Sequence, residues 1–174
     1  MKKFLIVIDM QNDFIDGSLG TPEAQAIVPA VLKKIKSYSE DCIIATRDTH
    51  EENYLETSEG KNLPVKHCIR NTPGWELHPA VAAAIGDAQI VDKPTFGSVK
   101  LAHMLYSKSQ AEPFSLEIIG LCTDICVVSN ALLLKAAFPE IPISVDASCC
   151  AGVTPESHLA ALTTMKMCQI QITE

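Results

Sequence analysis

Apolar positions along the chain fall into two patterns, short unbroken runs and runs with helical spacing, and the two alternate. Phe4 to Ile8 is a continuous apolar run, rich in β-branched residues, that ends at Asp9; it predicts a strand buried on both faces. Residues 10–20 are polar, with Gly17 and Gly20, and predict a loop. Thr21-Pro22-Glu23 supplies an N-cap, a proline at the first helical position and a first-turn acid, and Ile27, Val28, Val31, Leu32 and Ile35 follow at helical spacing. Cys42 to Thr46 predicts the second strand, and residues 47–78 then show no clear period. In a compact domain so long an aperiodic stretch marks a functional segment. Beyond it come a short Ala-rich helix from Pro79 to Ile85, a strand from Ala88 to Val91, a helix from Val99 to Tyr106 and a strand from Ser115 to Leu121. An apolar helix from about Asp124 to Ala137, a strand from Pro142 to Val145, a helix opened by Thr154-Pro155-Glu156 and a strand from Cys168 to Ile172 complete the series. Strand alternating with helix throughout predicts one α/β domain over residues 1–174, a parallel sheet covered by helices on both faces.

Charge narrows the choice of partner. Lys and Arg total 14 against 21 Asp and Glu, a net charge of −7. No basic cluster stands ready to neutralise phosphates, so neither nucleic acid nor an anionic membrane is an expected partner. No apolar run reaches the ~20 residues of a membrane span. Met1-Lys2-Lys3 and the run behind it resemble a leader only superficially, because that run is short and ends in Asp9. Seven cysteines, an odd number, suit reduced thiols in a cytoplasmic setting better than a disulfide framework.

In open parallel sheets ligands bind beyond the carboxyl ends of the strands. Asp9 stands there after the first strand, Asp48 and His50 after the second, Lys93 after the third, and Cys126 after the fourth, in the first turn of a helix. Cys126 is either a buried helix cysteine or a nucleophile whose thiolate is favoured by the free N–H groups and dipole of the helix start. Those N–H groups also suit an oxyanion. Asp9 is either a loop cap or a proton acceptor, and Lys93 either a solvated lysine or an ammonium that assists the thiol. Asp48 and His50 lie two apart and point the same way on an extended segment. With His67 they are either a loop acid and two polar histidines or a donor set for Zn²⁺, Mn²⁺ or Fe²⁺. His78, His103 and His158 read as structural or surface residues. The absence of a Gly-rich loop after the first strand, and of a Gly-x-Ser-x-Gly elbow, points away from dinucleotide enzymes, flavodoxin-type modules and serine hydrolases.

Taken together, these motifs resemble the isochorismatase-like cysteine hydrolase superfamily, which includes nicotinamidases. Asp9-Met10-Gln11-Asn12-Asp13-Phe14 is similar to its first catalytic motif, and Arg47-Asp48-Thr49-His50 to its metal-binding pair. His67-Cys68-Ile69 with Thr72-Pro73-Gly74 and His78-Pro79 resembles the segment of the third ligand, and Lys93-Pro94-Thr95-Phe96 that of the catalytic lysine. Gly120-Leu121-Cys122-Thr123-Asp124-Ile125-Cys126-Val127, the most specific of the set, resembles the nucleophile motif. The resemblance implies a three-layer αβα fold with a six-stranded parallel sheet in the order 3-2-1-4-5-6. It implies a non-proline cis peptide at Leu121–Cys122, an oxyanion held by backbone N–H groups of Cys122 and Cys126, and a Cys126 thioester formed with the help of Asp9 and Lys93. It also implies a divalent metal, zinc with manganese or iron as alternatives, on Asp48, His50 and His67, with Glu59, Glu56 or water in a fourth position. Gln11, Phe14, Leu63 and Trp75 are the candidate substrate contacts, Leu63 standing where nicotinamidases commonly carry a tryptophan and Trp75 offering an aromatic wall from another direction. The implied reaction is hydrolysis of nicotinamide to nicotinate and ammonia, with another small amide or carbamoyl compound as the alternative substrate. A homo-oligomer is also implied. True isochorismatases lack the nucleophilic cysteine, so Cys126 argues against vinyl-ether chemistry.

Overall fold

The computed structural model describes residues 1–109 and 112–174. In chain order the main elements are β1 (Lys2–Ile8), α1 (Asn12–Ile15), α2 (Pro22–Ile35), β2 (Ile43–Asp48), α3 (Ser58–Asn62), α4 (Pro79–Ile85), β3 (Gln89–Lys93) and α5 (Val99–Ser109). β4 (Phe114–Leu121), α6 (Val128–Ala137), β5 (Ile143–Ala151), α7 (Pro155–Met167) and β6 (Gln171–Thr173) follow. The six strands form one sheet in the order β3-β2-β1-β4-β5-β6, and every pairing is parallel.

β1 explains why the opening run needs no polar residue. Phe4, Ile6 and Ile8 pack on one face with Leu101, Leu105, Leu134 and Met165, while Leu5 and Val7 pack on the other with Val31, Ile35, Val81 and Ile85. Each fully buried Leu or Ile contributes about 1.5–3 kcal/mol of transfer free energy, so both helical layers are tied to this strand. The helix starts follow the capping chemistry of the sequence. Thr21 Oγ1 accepts from Ala24 N at 3.0 Å, and Thr154 forms a reciprocal box with Ser157.

Several bounds differ from the expectation, each for a physical reason. The loop after β1 contains the single turn α1, whose Phe14 and Ile15 are buried. β2 and β3 run two residues further than their apolar runs, because Arg47 and Asp48 on β2 pair in register with Asp92 and Lys93 on β3. β5 continues past Val145 to Ala151 because its Asp146, although charged, is buried against Lys34 of α2, Oδ2 to Nζ 2.7 Å. β6 shrinks to Gln171–Thr173. The helix expected from Asp124 opens as a π-helical turn over Thr123–Val127 before α6 begins.

The order of strands places the ends of β1 and β4 side by side, with Ile8 opposite Gly120. Gly120 has φ +119°, and a Cβ there would overlap the Ile8 carbonyl, so only glycine allows so close an approach. The peptide after Leu121, Leu121–Cys122, is cis.

Candidate active site

Four strand ends converge on one rim. Asp9 leaves β1 in the left-handed region, φ +46°, which is uncommon for a residue with a side chain. Thr46 of β2 braces it, its backbone oxygen accepting from Asp9 N at 3.2 Å and its hydroxyl donating to Asp9 Oδ1 at 2.6 Å. Lys93, the last residue of β3, is fully buried, and its Nζ lies 2.7 Å from Asp9 Oδ2. The same ammonium donates to the Thr95 carbonyl at 3.1 Å and lies 3.4 Å from Cys126 Sγ and 3.3 Å from Asp48 Oδ1. Such a charge is stable inside only because carboxylates surround it; an unpaired buried ammonium would lose its proton. The solvated-lysine reading is thereby excluded.

The protonation states follow from these neighbours. Burial pushes the Asp9 carboxyl up, and the nearby Asp48 charge adds to this against the pull of Lys93. Burial alone would lower Lys93, but Asp9, Cys126 and Asp48 together hold it above the usual lysine value. Cys126 is only 4% exposed, and burial together with the Asp9 charge raises its thiol well above the ordinary range, Lys93 opposing. The thiolate expected from a helix start is therefore not the resting form. The nucleophile sits in a π turn, where burial and the Asp9 charge favour the thiol.

A second cluster adjoins the first. Single ligand atoms of Asp48, His50, Glu59 and His67 all lie within 4.8 Å of one another. His50 Nε2 is 2.9 Å from Asp48 Oδ2 and 3.5 Å from Glu59 Oε1, and His67 Nε2 is 3.6 Å from each of those oxygens. His67 Nδ1 donates to the Val65 carbonyl at 2.9 Å, which turns Nε2 toward the cluster. His50 Nε2 is buried and has no hydrogen bond of good geometry among the described residues. Two carboxylate oxygens and two imidazole nitrogens converging on one point suit a divalent cation, and the outer contact of His67 is the usual support of a metal ligand. Burial raises Glu59, and the facing Asp48 charge raises it further. Asp48 itself is pushed up by burial but held well below the usual carboxylate range by His50, His67 and Lys93. Of the two candidate glutamates, Glu59 joins the cluster, whereas Glu56 is exposed on the preceding 3₁₀ turn.

A cavity of about 670 Å³ opens on both clusters, with Asp48, Glu59, His67, Cys122 and Cys126 on its wall. Phe14 and Leu63, two of the four expected substrate contacts, line it as well, and the Phe14 ring lies 5.6 Å from that of His67. The other two do not. Gln11 is fully buried and brackets the chain: its Nε2 donates to the Asp48 and Trp75 carbonyls, both at 2.8 Å, and its Oε1 accepts from Asp48 N at 2.7 Å. Trp75 donates from Nε1 to Thr49 Oγ1 at 2.8 Å and stacks on Arg47, 3.7 Å from ring centroid to guanidinium carbon. Gln11 thus shapes the site by fixing Asp48, and the indole is spent on the arginine.

Sequence reasoning missed two supporting residues. Thr46 looked like an ordinary strand threonine. Asn130 is fully buried and donates from Nδ2 to the Cys126 carbonyl at 2.7 Å and to the Phe96 carbonyl at 2.9 Å, while its Oδ1 accepts from Ser98 N at 2.9 Å. It ties the nucleophile's turn to the segment after Lys93. The available signal was a lone amide four residues after Cys126, in a mostly apolar helix.

Comparison with known proteins agrees with this geometry. The isochorismatase domain model matches residues 3–174. A nicotinamidase/pyrazinamidase of Mycobacterium tuberculosis is 25% identical over 97% of this chain and 96% of its own length. A nicotinamidase of Schizosaccharomyces pombe is 25% identical over 97% of this chain and 91% of its own. Among solved structures, the pyrazinamidase of Pyrococcus horikoshii in complex with zinc superposes with a TM-score of 0.81 at 30% identity, covering 100% of this chain and 99% of that one.

Proposed function

Because the chain belongs to the isochorismatase family, we propose that it is a cysteine amidohydrolase and that nicotinamide is its substrate. The observation that carries this reading is the position of Lys93 Nζ, 2.7 Å from Asp9 and 3.4 Å from Cys126 Sγ, beside a cavity shared with the acid–imidazole cluster.

The roles follow from the protonation states. Asp9, raised by burial yet ionised beside Lys93, accepts the Cys126 thiol proton as Sγ bonds to the amide carbon. The Cys122 and Cys126 backbone N–H groups receive the oxyanion. Asp9 returns the proton to the departing nitrogen, the C–N bond breaks and ammonia leaves. Water then adds to the thioester, giving a proton to Asp9, and the C–S bond breaks with that proton returning to sulfur. Lys93 keeps the charge of this buried trio balanced throughout. Asp48, His50, His67 and Glu59 would hold a divalent cation, for which zinc is our choice. When bound, that cation supplies a Lewis-acidic anchor for a ring nitrogen and so orients the amide. Hydrolysis of a different small amide or carbamoyl compound is the second reading, favoured by the absence of Trp75 from the cavity wall. A cytoplasmic homo-oligomer belongs to the same proposal. No helix among the described residues is long and apolar enough to cross a membrane.

Ammonia release from nicotinamide by zinc-loaded protein tests the reading. Turnover is expected in the wild type, with a loss of at least ~10³-fold in Cys126→Ala. No turnover by the metal-loaded wild type would remove nicotinamide as substrate.

A further inference from the structure

The cavity is far larger than the reaction needs. A single-ring carboxamide fills only a small part of about 670 Å³, a volume in the range of pockets that enclose drug-sized ligands. Its wall is also chemically divided. Apart from the cysteine thiols, the titratable groups on it are Asp48, Glu59 and His67, all three in the cation cluster. The remainder is built from the loop before α2, the turn at Cys126, the segment after Lys93, α3 and the loop after β5, which contribute Leu19, Ile125, Phe96, Leu63 and Val153. Phe96 is 44% exposed and Val153 52% exposed, so this apolar wall reaches the mouth rather than closing into the core. The polar residues among it, Thr21, Ser58, Asn62 and Thr95, are uncharged.

We infer that this apolar arm is a substrate subsite, and that the preferred substrates are neutral carboxamides carrying an apolar substituent beyond the ring that enters the catalytic end. The inference rests on the amidohydrolase reading and narrows its substrate class. A substituent in the arm leaves water for an apolar surface, and each buried methylene strengthens transition-state binding about fourfold (about 0.8 kcal/mol). A carboxylate or ammonium at the same point finds no partner on that wall and must keep its water at the mouth, so charged substituents forfeit the gain. Ureido acids and amino-acid amides whose charge would lie in the arm are accordingly poor substrates.

Two measurements separate this inference from the reading it rests on. In the first, kcat/KM for ammonia release is compared across nicotinamides bearing 5- or 6-alkyl chains of increasing length, with a carboxylate-ended analogue of the longest. At least one series should rise severalfold per methylene, and the carboxylate should cancel the gain. Val153→Arg, which sets a charge in the arm, should flatten the alkyl series and restore the carboxylate analogue. Hydrolysis of nicotinamide with both alkyl series flat or falling would overturn the subsite. In the second, calorimetry follows binding of the same amides to zinc-loaded Cys126→Ala. Affinity that rises along a series there, without turnover in the wild type, would uphold the arm and sink the hydrolytic reading. Affinity that does not rise would overturn the arm.

Discussion

Asp9 does its work from a position that ordinarily silences a carboxylate. It is fully buried, beside a second acid, and burial pushes its carboxyl up while the Lys93 ammonium and the Thr46 hydroxyl favour the ionised form. The hydroxyl bonds to the ionised form, so removing it favours the proton. With Lys93, Asp48 and Cys126 unchanged around it, Thr46→Val should therefore raise the Asp9 pKa. The acid limb of kcat/KM should then move to higher pH by about one unit, the worth of one hydrogen bond to a charged group. A pH–rate profile of the variant beside the wild type checks the direction. At this scale the sequence was informative where chemistry repeats as a motif: Asp9, Lys93, Cys126 and the Asp48-His50-His67 set do converge. It was poor where a residue's role depends on what faces it. Gln11 sits inside a matching motif and Trp75 beside one, yet their polar atoms are committed to Asp48 and Thr49. Asn130 lies outside any motif and holds Cys126 in place.

Among elements, α2 owes its place on the sheet to more than its apolar stripe. Lys34 reaches across to Glu117 of β4 at 3.1 Å and Asp146 of β5 at 2.7 Å, and Lys3 and Tyr38 complete the shell around Glu117. Burial raises both acids, but these partners outweigh it and leave both below their ordinary values. A depressed acid contributes stability at pH above its unfolded value and loses it as pH falls through the folded one. Lys34→Met should thus cost about 2–3 kcal/mol near neutrality and much less in acid, where the carboxylates carry protons. Urea titrations at pH 7 and pH 3 would show the two proteins converging. The same cluster explains a limit of the sequence reading. Helices announce themselves by spacing and caps, and the buried strands by unbroken apolar runs. β5 crosses a polar patch at Asp146 and Ser148, so its second half carried no strand signal although its backbone pairs with β4 to Ala151.

For the whole molecule, the cation cluster is a point where folding and chemistry share one set of residues. Its members come from the end of β2 and the residues just after it, from α3 and from the segment near Val65, which the His50 backbone also bridges through Cys68 and Arg70. A cation that binds this arrangement and not the unfolded chain stabilises it by about 2.7 kcal/mol at a hundredfold excess over Kd. In a chain of this length that is about 5–10 °C in Tm. Chelation should lower Tm by that amount together with activity, and zinc should restore both in a thermal melt. The strand order has a further consequence, in time rather than in space. β1 is made before the other five strands of its sheet, yet it is flanked by β2 and by β4, whose Gly120 faces Ile8. At ~5–20 residues per second, β1 waits roughly 6–20 s on the ribosome for that second neighbour. Asp9 and Lys93 are both made before Cys126 leaves the peptidyl-transferase centre. The sulfur is thus the last of the three to be made, after both the carboxylate that favours its proton and the ammonium that opposes it.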